Sequence, residues 1–294
     1  MELLRKYQNG DYLIKLYEDG TLIRKTHKDN PQLEWPCSID VKITDYCDLG
    51  CAYCHESSTE QGKHADLAAL LDVLEPLPAG VELAIGGGNP LAHPLLGGFL
   101  QLLKEKGIIC NLTVNQGHLA RYVDTLTFLL KANYIKGLGV SITSRNYEPL
   151  QEVLKLTDNV VCHVIAGVNS PDIVEELASV GAHKVLILGY KTFGRGTSYY
   201  NQEVKKNLEN WYRKLNSLIG NYHLSFDNLA IQQLCVDRFF SKEDWATYYM
   251  GDDGQYTMYI DAVKQEYAKT SRSAERTSFN DTDLRTYFHR LSRQ

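Results

Sequence analysis

The 294-residue sequence predicts an α/β fold of parallel βαβ units, and three observations point to it. Short apolar runs at 37–43, 81–86, 108–114, 138–143, 160–166 and 184–190 have the length of strands. Amphipathic stretches at 65–75, 94–106, 119–132, 147–156 and 171–181 lie between them and have the length of helices. Helix start and stop residues separate the two kinds of segment. Regular alternation implies parallel strands joined by right-handed crossovers, as an open doubly wound sheet or a partial barrel. Either arrangement puts a ligand site at the C-terminal ends of the strands.

The elements follow in order. Residues 11–26 alternate apolar and polar around Glu18-Asp19-Gly20, the pattern of a β-hairpin. A polar stretch from Thr26 to Gln32 leads through Glu34-Trp35-Pro36 into the first strand of the βαβ series. Lys104-Glu105-Lys106-Gly107 is a cationic last turn closed by glycine. Ser170-Pro171-Asp172 opens a helix with proline in its first turn, and Gly181 ends it. Beyond residue 190 the pattern loosens. A helix is expected over roughly 201–218, and the segment Met250 to Tyr267 reads as a turn followed by a strand. The expected organisation is an N-terminal hairpin extension over 1–36, a core over 37–198 and a small C-terminal α/β extension over 199–294.

Composition narrows the function classes. Apolar residues at 44% and charged residues at 23% match a globular protein with a core. A net charge of −5 gives no general attraction to polyanions, so a nucleic-acid partner needs a local basic surface. The first residues hold no apolar stretch of signal-peptide length, and no run approaches the roughly 18 apolar residues of a membrane span. A cytoplasmic location without a membrane partner is therefore expected, where thiols stay reduced.

Seven cysteines, an odd number, argue against a disulfide framework, and three of them crowd into Cys47-Asp48-Leu49-Gly50-Cys51-Ala52-Tyr53-Cys54. At this cysteine content the spacing arises by chance roughly 0.004 times per chain. Three thiolates on one loop suit three irons of a cubane and leave a fourth iron open to a small molecule. Other readings stand beside it. Cys51-Ala52-Tyr53-Cys54-His55 matches covalent haem attachment, which requires export. A zinc site could take the thiolates and His55, although neighbouring Cys54 and His55 make an awkward tetrahedral pair. Plain buried thiols are the remaining alternative.

The C-x-x-x-C-x-Φ-C loop, with Tyr53 as its aromatic residue, resembles the signature of radical S-adenosylmethionine enzymes. The resemblance covers about residues 37–195 and implies a partial (β/α)6 barrel of the TIM-like kind. It implies a [4Fe–4S] cluster on Cys47, Cys51 and Cys54, with S-adenosylmethionine on the open iron and Tyr53 near the adenine. Gly86-Gly87-Gly88-Asn89-Pro90 is similar to the family's G-G-E-P motif, which grips the methionyl amino group. A glycine run also lets a ligand approach exposed backbone amides and carbonyls. Asn89 stands where the family usually has Glu, so the charge-assisted bond is lost. Thr113 and Asn115 end the third strand in a loop similar to the family's T-N-G. Ser141 ends the fourth, Ile165 matches an apolar adenine wall, and Lys191 follows the sixth. Lys191, Asn115 and Ser141 are the expected polar groups between cofactor and substrate.

The implied chemistry is reductive cleavage of S-adenosylmethionine to a 5′-deoxyadenosyl radical that abstracts hydrogen from a substrate. Electrons would come from a reductase or a flavodoxin-type donor. The substrate classes are a small molecule, a nucleoside or nucleotide, or a peptide. Base modification on nucleic acid is an alternative, carried by Arg272, Arg276, Arg285, Arg290, Arg293 and the 19 tyrosines. A non-catalytic metal- or cluster-binding protein is another. Cys37, Cys110 and Cys162 are expected in the core. Cys235 is a possible hydrogen-atom donor, and Asp252 and Asp253 are possible substrate contacts.

Overall fold

In the computed structural model, which describes residues 2–292, the strands of the core are β4 (Ser38–Thr44), β5 (Glu82–Gly87), β6 (Ile109–Asn115), β7 (Gly137–Ser141), β8 (Val160–Ile165) and β9 (Lys184–Leu188). They follow an N-terminal group of β1 (Leu3–Asn9), β2 (Tyr12–Tyr17) and β3 (Leu22–Lys25). The crossovers are α1 (Leu67–Leu74), α2 (Leu96–Glu105), α3 (Leu119–Lys131), α4 (Glu148–Leu154) and α5 (Ile173–Ser179). Gly107 and Gly181 adopt φ of +76° and +89° and so end α2 and α5, as only glycine does without strain. Around Pro171 the first turn is tighter than a regular helix: Ile173 bonds Ser170, Val174 bonds Pro171, and α5 begins after them.

All neighbouring core strands pair in parallel, in the order β9-β8-β7-β6-β5-β4. The alternation inside each strand explains why. In β4, Ile39, Val41 and Ile43 are buried against the helices, while Ser38, Asp40, Lys42 and Thr44 point the other way. The same division holds in β6, where Cys110, Leu112 and Val114 are buried and Asn111, Thr113 and Asn115 are not. Cys110 and Cys162 lie on the helix side, and Cys37 is buried just before β4. Residues of β4 to β9 line one interior cavity together with Tyr259 and Asp227, from beyond the two ends of the six-strand run. The sheet therefore curls around a lumen as a partial barrel.

The C-terminal part extends the sheet at both edges. After α6 (Arg195–Tyr199) and α7 (Gln202–Leu218), β10 (His223–Phe226) adds in parallel to β9. Val204, Trp211, Leu215 and Leu218 give α7 a single buried face, and the Trp211 indole donates to the Asn169 carbonyl at 2.7 Å. The chain then passes through α8 (Asn228–Leu234) and α9 (Lys242–Tyr248) to β11 (Thr257–Asp261), which pairs in parallel with β4. Two short antiparallel strands, β12 (Glu266–Ala268) and β13 (Thr277–Ser278), finish that edge before α10 (Leu284–Leu291). The edges meet through side chains. Asn228 donates to the Gly251 carbonyl and to Asp253, and Arg272 pairs with Asp253 at 2.7 Å.

The N-terminal region differs from the expected hairpin. A third strand, β1, joins β2 and β3 in an antiparallel meander. Its Arg5, Lys6 and Gln8 hide the alternation that marks a strand. The β2–β3 turn sits at the N-terminal ends of β7 to β9: Lys184 donates to the Asp19 carbonyl and to Asn159. This turn closes the bottom of the lumen. Among the described residues no helix is long and apolar enough to cross a membrane.

Candidate functional site

The cysteine loop leaves β4 at Thr44 and is held from several sides. Asp45 and Cys47 donate to the carbonyls of Lys63 and Thr59 at 2.8 and 2.9 Å. Gly50, at φ +61°, makes the turn between Cys47 and Cys51. Arg195 spans the loop from the far wall: its Nε donates to the Cys51 carbonyl and its Nη1 to the Ser58 carbonyl, both at 2.9 Å. Its backbone N–H donates to the Cys54 carbonyl at 3.0 Å.

Cys47, Cys51 and Cys54 face one cavity of about 170 Å³ at the C-terminal ends of the strands. Burial pushes the Cys47 and Cys51 thiols up, and the neighbouring thiols add to the effect. The Asn115 amide points its N–H at Cys51 Sγ at 3.8 Å, and its carbonyl accepts from Thr143 at 3.0 Å and Gly117 at 2.9 Å. The group of ligand atoms lying within 4.8 Å of one another is Cys47, Asp48 and His118, not the three thiols. Four ligands on one zinc at about 2.3 Å would bring sulfurs to about 3.8 Å from each other, so the loop is not arranged around a single ion. His55 lines the same cavity, with Nε2 at 3.2 Å from Glu56 and 3.3 Å from Lys191 Nζ.

Tyr53, Gly87, Gly88, Thr113, Asn115, Ser141, Ile165 and Lys191 join the thiols on the wall of this cavity. Tyr53 meets Tyr199 edge to face, with ring centres 5.6 Å apart. Asn89 does not join them. It is fully buried, its side-chain amide has no partner, and its backbone N–H donates to the Tyr46 carbonyl at 2.6 Å. The glycine run also differs from the expected open cradle, because the Gly88 N–H is spent on Thr44. A Cβ on Gly88 would lie 2.1 Å from the Tyr46 carbonyl oxygen, and one on Gly87 2.4 Å from that of Thr44. The glycines are needed so that the cysteine loop can lie directly on them.

Several groups of the site escaped the sequence reading. Lys42, on β4, pairs with Asp45, Glu56 and Asp261 at 2.9, 3.2 and 2.7 Å. Burial opposes its charge, yet Glu56, Asp261 and Asp45 hold it above the usual lysine range. Burial likewise opposes the charge of Glu56, yet His55 and Lys42 bring its carboxyl down to about 2. This network ties the cysteine loop to β11. Lys191, which the sequence did point to, donates to Ser271 at 3.0 Å, and burial lowers its pKa. His163 lines the cavity with its pKa brought down to about 4 by burial and by Lys191, so it is neutral at neutral pH. The one visible signal for these groups is polar residues at alternate positions of apolar strands.

Other expected residues lie elsewhere. Cys235 is exposed at the end of α8 and lines neither this cavity nor the lumen. Asp252 accepts from the Tyr249 hydroxyl, and Asp253 is engaged by Arg272 and Asn228. Arg276 donates to the carbonyls of Ser271 and Ser273, and Arg285 pairs with Glu34. Arg293 lies outside the described residues. The arginines that suggested a polyanion surface are thus largely spent on the chain itself.

The strand-end cysteine site on a partial parallel barrel defines a class of protein, and sequence comparison agrees with it. Residues 41–162 match the family model of the radical SAM superfamily. A GTP 3′,8-cyclase of Alkaliphilus oremlandii (strain OhILAs) is 29% identical over 137 residues, covering 44% of this chain and 41% of that protein. This chain resembles the radical SAM superfamily over residues 41–162. It spans about two fifths of the length of that curated relative. Among solved structures, Streptococcus suis SuiB bound to S-adenosylmethionine superposes with a TM-score of 0.61 at 14% identity, over 87% of this chain and 66% of SuiB. SuiB bound to precursor peptide SuiA gives 0.60 at 13% identity, over 87% and 65%. At that identity the likeness is one of fold.

Proposed function

We propose that the chain is a radical S-adenosylmethionine enzyme whose cofactors sit in the strand-end cavity. The observation that carries this reading is the convergence of Cys47, Cys51, Cys54 and the ends of five further strands on one space. The donor set fits the group. Three soft sulfurs on one loop suit an iron–sulfur cluster, and ligation relieves the cost of ionising thiols that burial and mutual repulsion disfavour. When bound, the [4Fe–4S] cluster and S-adenosylmethionine supply one-electron reductive cleavage to a 5′-deoxyadenosyl radical.

The chain's own residues ligate, orient and exclude water. Cys47, Cys51 and Cys54 hold the cluster, while the Asn115 amide stabilises negative charge on the Cys51 sulfur. Arg195 fixes the loop against α6, so the three sulfurs keep their relative positions. Gly87 and Gly88 give the methionyl end a wall without side chains, and Asn89 supports that turn from behind. Tyr53 and Ile165 form the apolar wall for the adenine. Thr113 and Ser141 provide hydroxyls, and Lys191 with His55 forms the polar wall toward substrate. The closed bottom of the lumen limits access of bulk water to this end. A reductase or flavodoxin-type protein donates the electron. The substrate is a small molecule, nucleotide or peptide.

The test is anaerobic reconstitution with iron and sulfide, followed by absorption and EPR spectra with and without S-adenosylmethionine and dithionite. About four irons per chain, as a cubane requires, a spectrum perturbed by S-adenosylmethionine and released 5′-deoxyadenosine are expected. Cys51→Ala should lose iron and product together. Zinc in place of iron, or a cluster indifferent to S-adenosylmethionine, would refute the reading.

A further inference from the structure

Below the strand-end cavity lies a larger one of about 600 Å³, the lumen itself. The two share walls at Gly87, Thr113, Ser141, His163, Leu188 and Lys191, so the lower space lies directly against the upper. Its size comes from small residues facing inward, Ala84, Gly86, Gly137 and Gly139. A Cβ on Gly139 would meet His163 Nε2 at 2.7 Å and Thr113 Oγ1 at 2.9 Å, so that glycine makes room for polar side chains.

The polar groups around this space are not used up by one another. Asp40 projects from β4, is enclosed by protein on the scale of the molecule, and yet is open to the cavity. Among the described residues no hydrogen-bond partner meets its carboxylate or the His163 ring. Asp227 caps α8 and receives the Gly189 and Ala230 N–H groups, both through Oδ1, and the residue lines the same space. The lining cations are committed. Lys42 is shared among three carboxylates, and Lys191 feels Asp40, Asp227 and Glu56 together. Carboxylates therefore outnumber cations around a wide cavity beside the place assigned to the cofactors. Burial pushes the Asp40 and Asp227 carboxyls up, a strain that a positive guest relieves.

We infer that the lumen is the substrate pocket and that it selects a substrate presenting a cationic nitrogen, an ammonium or guanidinium, to Asp40 and Asp227. The inference rests on the radical reading of the upper cavity for the word substrate, and on the lumen alone for the charge it selects. A polyphosphate is disfavoured there, because it would have to take Lys42 away from the three carboxylates that hold it, displace Lys191 from Ser271 and His55, and approach the Asp40 and Asp227 carboxylates. The cationic nitrogen can belong to a free amine or to a lysine or arginine side chain of a peptide, and both present the same group.

The experiment measures binding by ligand-observed NMR titration, using reconstituted protein without reductant. The probes are n-butylammonium, n-butylguanidinium, a terminally blocked lysine tripeptide and GTP. Saturable binding of the cationic probes, and none of GTP, is expected. Asp40→Asn should weaken it roughly tenfold to hundredfold, the worth of a charge-assisted contact. Ala84→Leu, which fills the lumen from β5, should abolish it. The variants' thermal transitions report folding; if Asp40→Asn fails to fold, Ala84→Leu carries the test. Tighter binding of GTP, or cation binding unchanged in the folded variants, overturns the inference. Binding of the blocked peptide alone assigns the nitrogen to a peptide side chain, and binding of the small probes alone assigns it to a free amine. No reductant enters the titration, so a chain that binds these cations but releases no 5′-deoxyadenosine sinks the radical reading and leaves the charge selection standing. The converse result does the opposite.

Discussion

The two faces of the barrel sheet are built from the same strands, and in β4 from alternate residues of one seven-residue run, but have opposite chemistry. Toward the helices, Ile39, Val41 and Ile43 are 0%, 2% and 0% exposed, close-packed and uncharged. On the other face, Ser38, Asp40, Lys42 and Thr44 carry two formal charges and several hydrogen-bonding groups, and Asp40 and Lys42 line the lumen. One face holds the fold together by burying apolar surface, at about 25 cal/mol per Å². That leaves the other face free to be polar at some cost in stability. The difference teaches where substitutions should act: outward ones on stability, inward ones on ligands. Lys42 is the place where this rule should break.

Lys42 faces inward but behaves as a keystone. It touches Asp45 at the root of the cysteine loop, Glu56 just after it, and Asp261 on β11, and its side chain is 5% exposed. Lys42→Met would leave those carboxylates facing one another out of water. We expect a loss of about 3–5 kcal/mol, measured by urea unfolding at neutral pH. A loss below 1 kcal/mol would mean that water already solvates the trio. The loss should also shrink in acid. Glu56 is held at about 2 in the folded chain against its ordinary 4.5. Its contribution is therefore fully present above 4.5 and disappears as pH falls toward 2.

Much of this architecture was legible. The six core strands and five crossover helices fall within a few residues of the expected ranges, because the helix-facing side must stay apolar over whole strands. The placement of the cysteine loop and of Thr113, Asn115, Ser141 and Lys191 around one strand-end cavity was legible for a related reason, since each follows a recognisable strand. What lay hidden was nonlocal. The alternation of β4 announces two faces but not that the second encloses a lumen. That depends on β11 pairing with β4 from more than two hundred residues away. The closure of the barrel by Asn228, Asp253 and Arg272 has no local signature either. The burial of Asn89 was not legible, because motif position does not give orientation, and the cysteine loop packs directly on the neighbouring Gly87 and Gly88.

The outward face supplies the counterpart to Lys42. Ile39→Ala should cost about 2–5 kcal/mol through lost burial and the cavity left behind. Its effect on 5′-deoxyadenosine release per folded, iron-loaded chain should be small, because its side chain touches neither cavity. Urea unfolding and single-turnover release, measured on the same preparation, separate the two quantities. A large loss of release at unchanged iron content would blur the distinction between the faces.

The smallest expected effect sharpens the comparison most, because it asks whether the lumen face is stabilising at all. Glu82 stands near the bottom of the lumen, and burial pushes its carboxyl up to about 7, against the pull of the Asn111 amide that donates to it at 3.1 Å. The folded chain thus keeps a proton that the unfolded chain releases near 4.5. The stability this group contributes is fully present below 4.5 and is lost as pH rises through 7. Glu82→Gln keeps the acceptor for Asn111 and removes the ionisation. At pH 8 the variant should be more stable than the parent by about 1–3 kcal/mol, and at pH 4 the two should coincide. Urea unfolding at both pH values reads the difference directly. A gain at pH 8 alone shows that the inward face carries a carboxyl at the expense of the fold, as expected of a surface shaped for a ligand. Equal stability at both values would show that lumen water solvates Glu82 fully, and the two faces would then differ in polarity but not in cost.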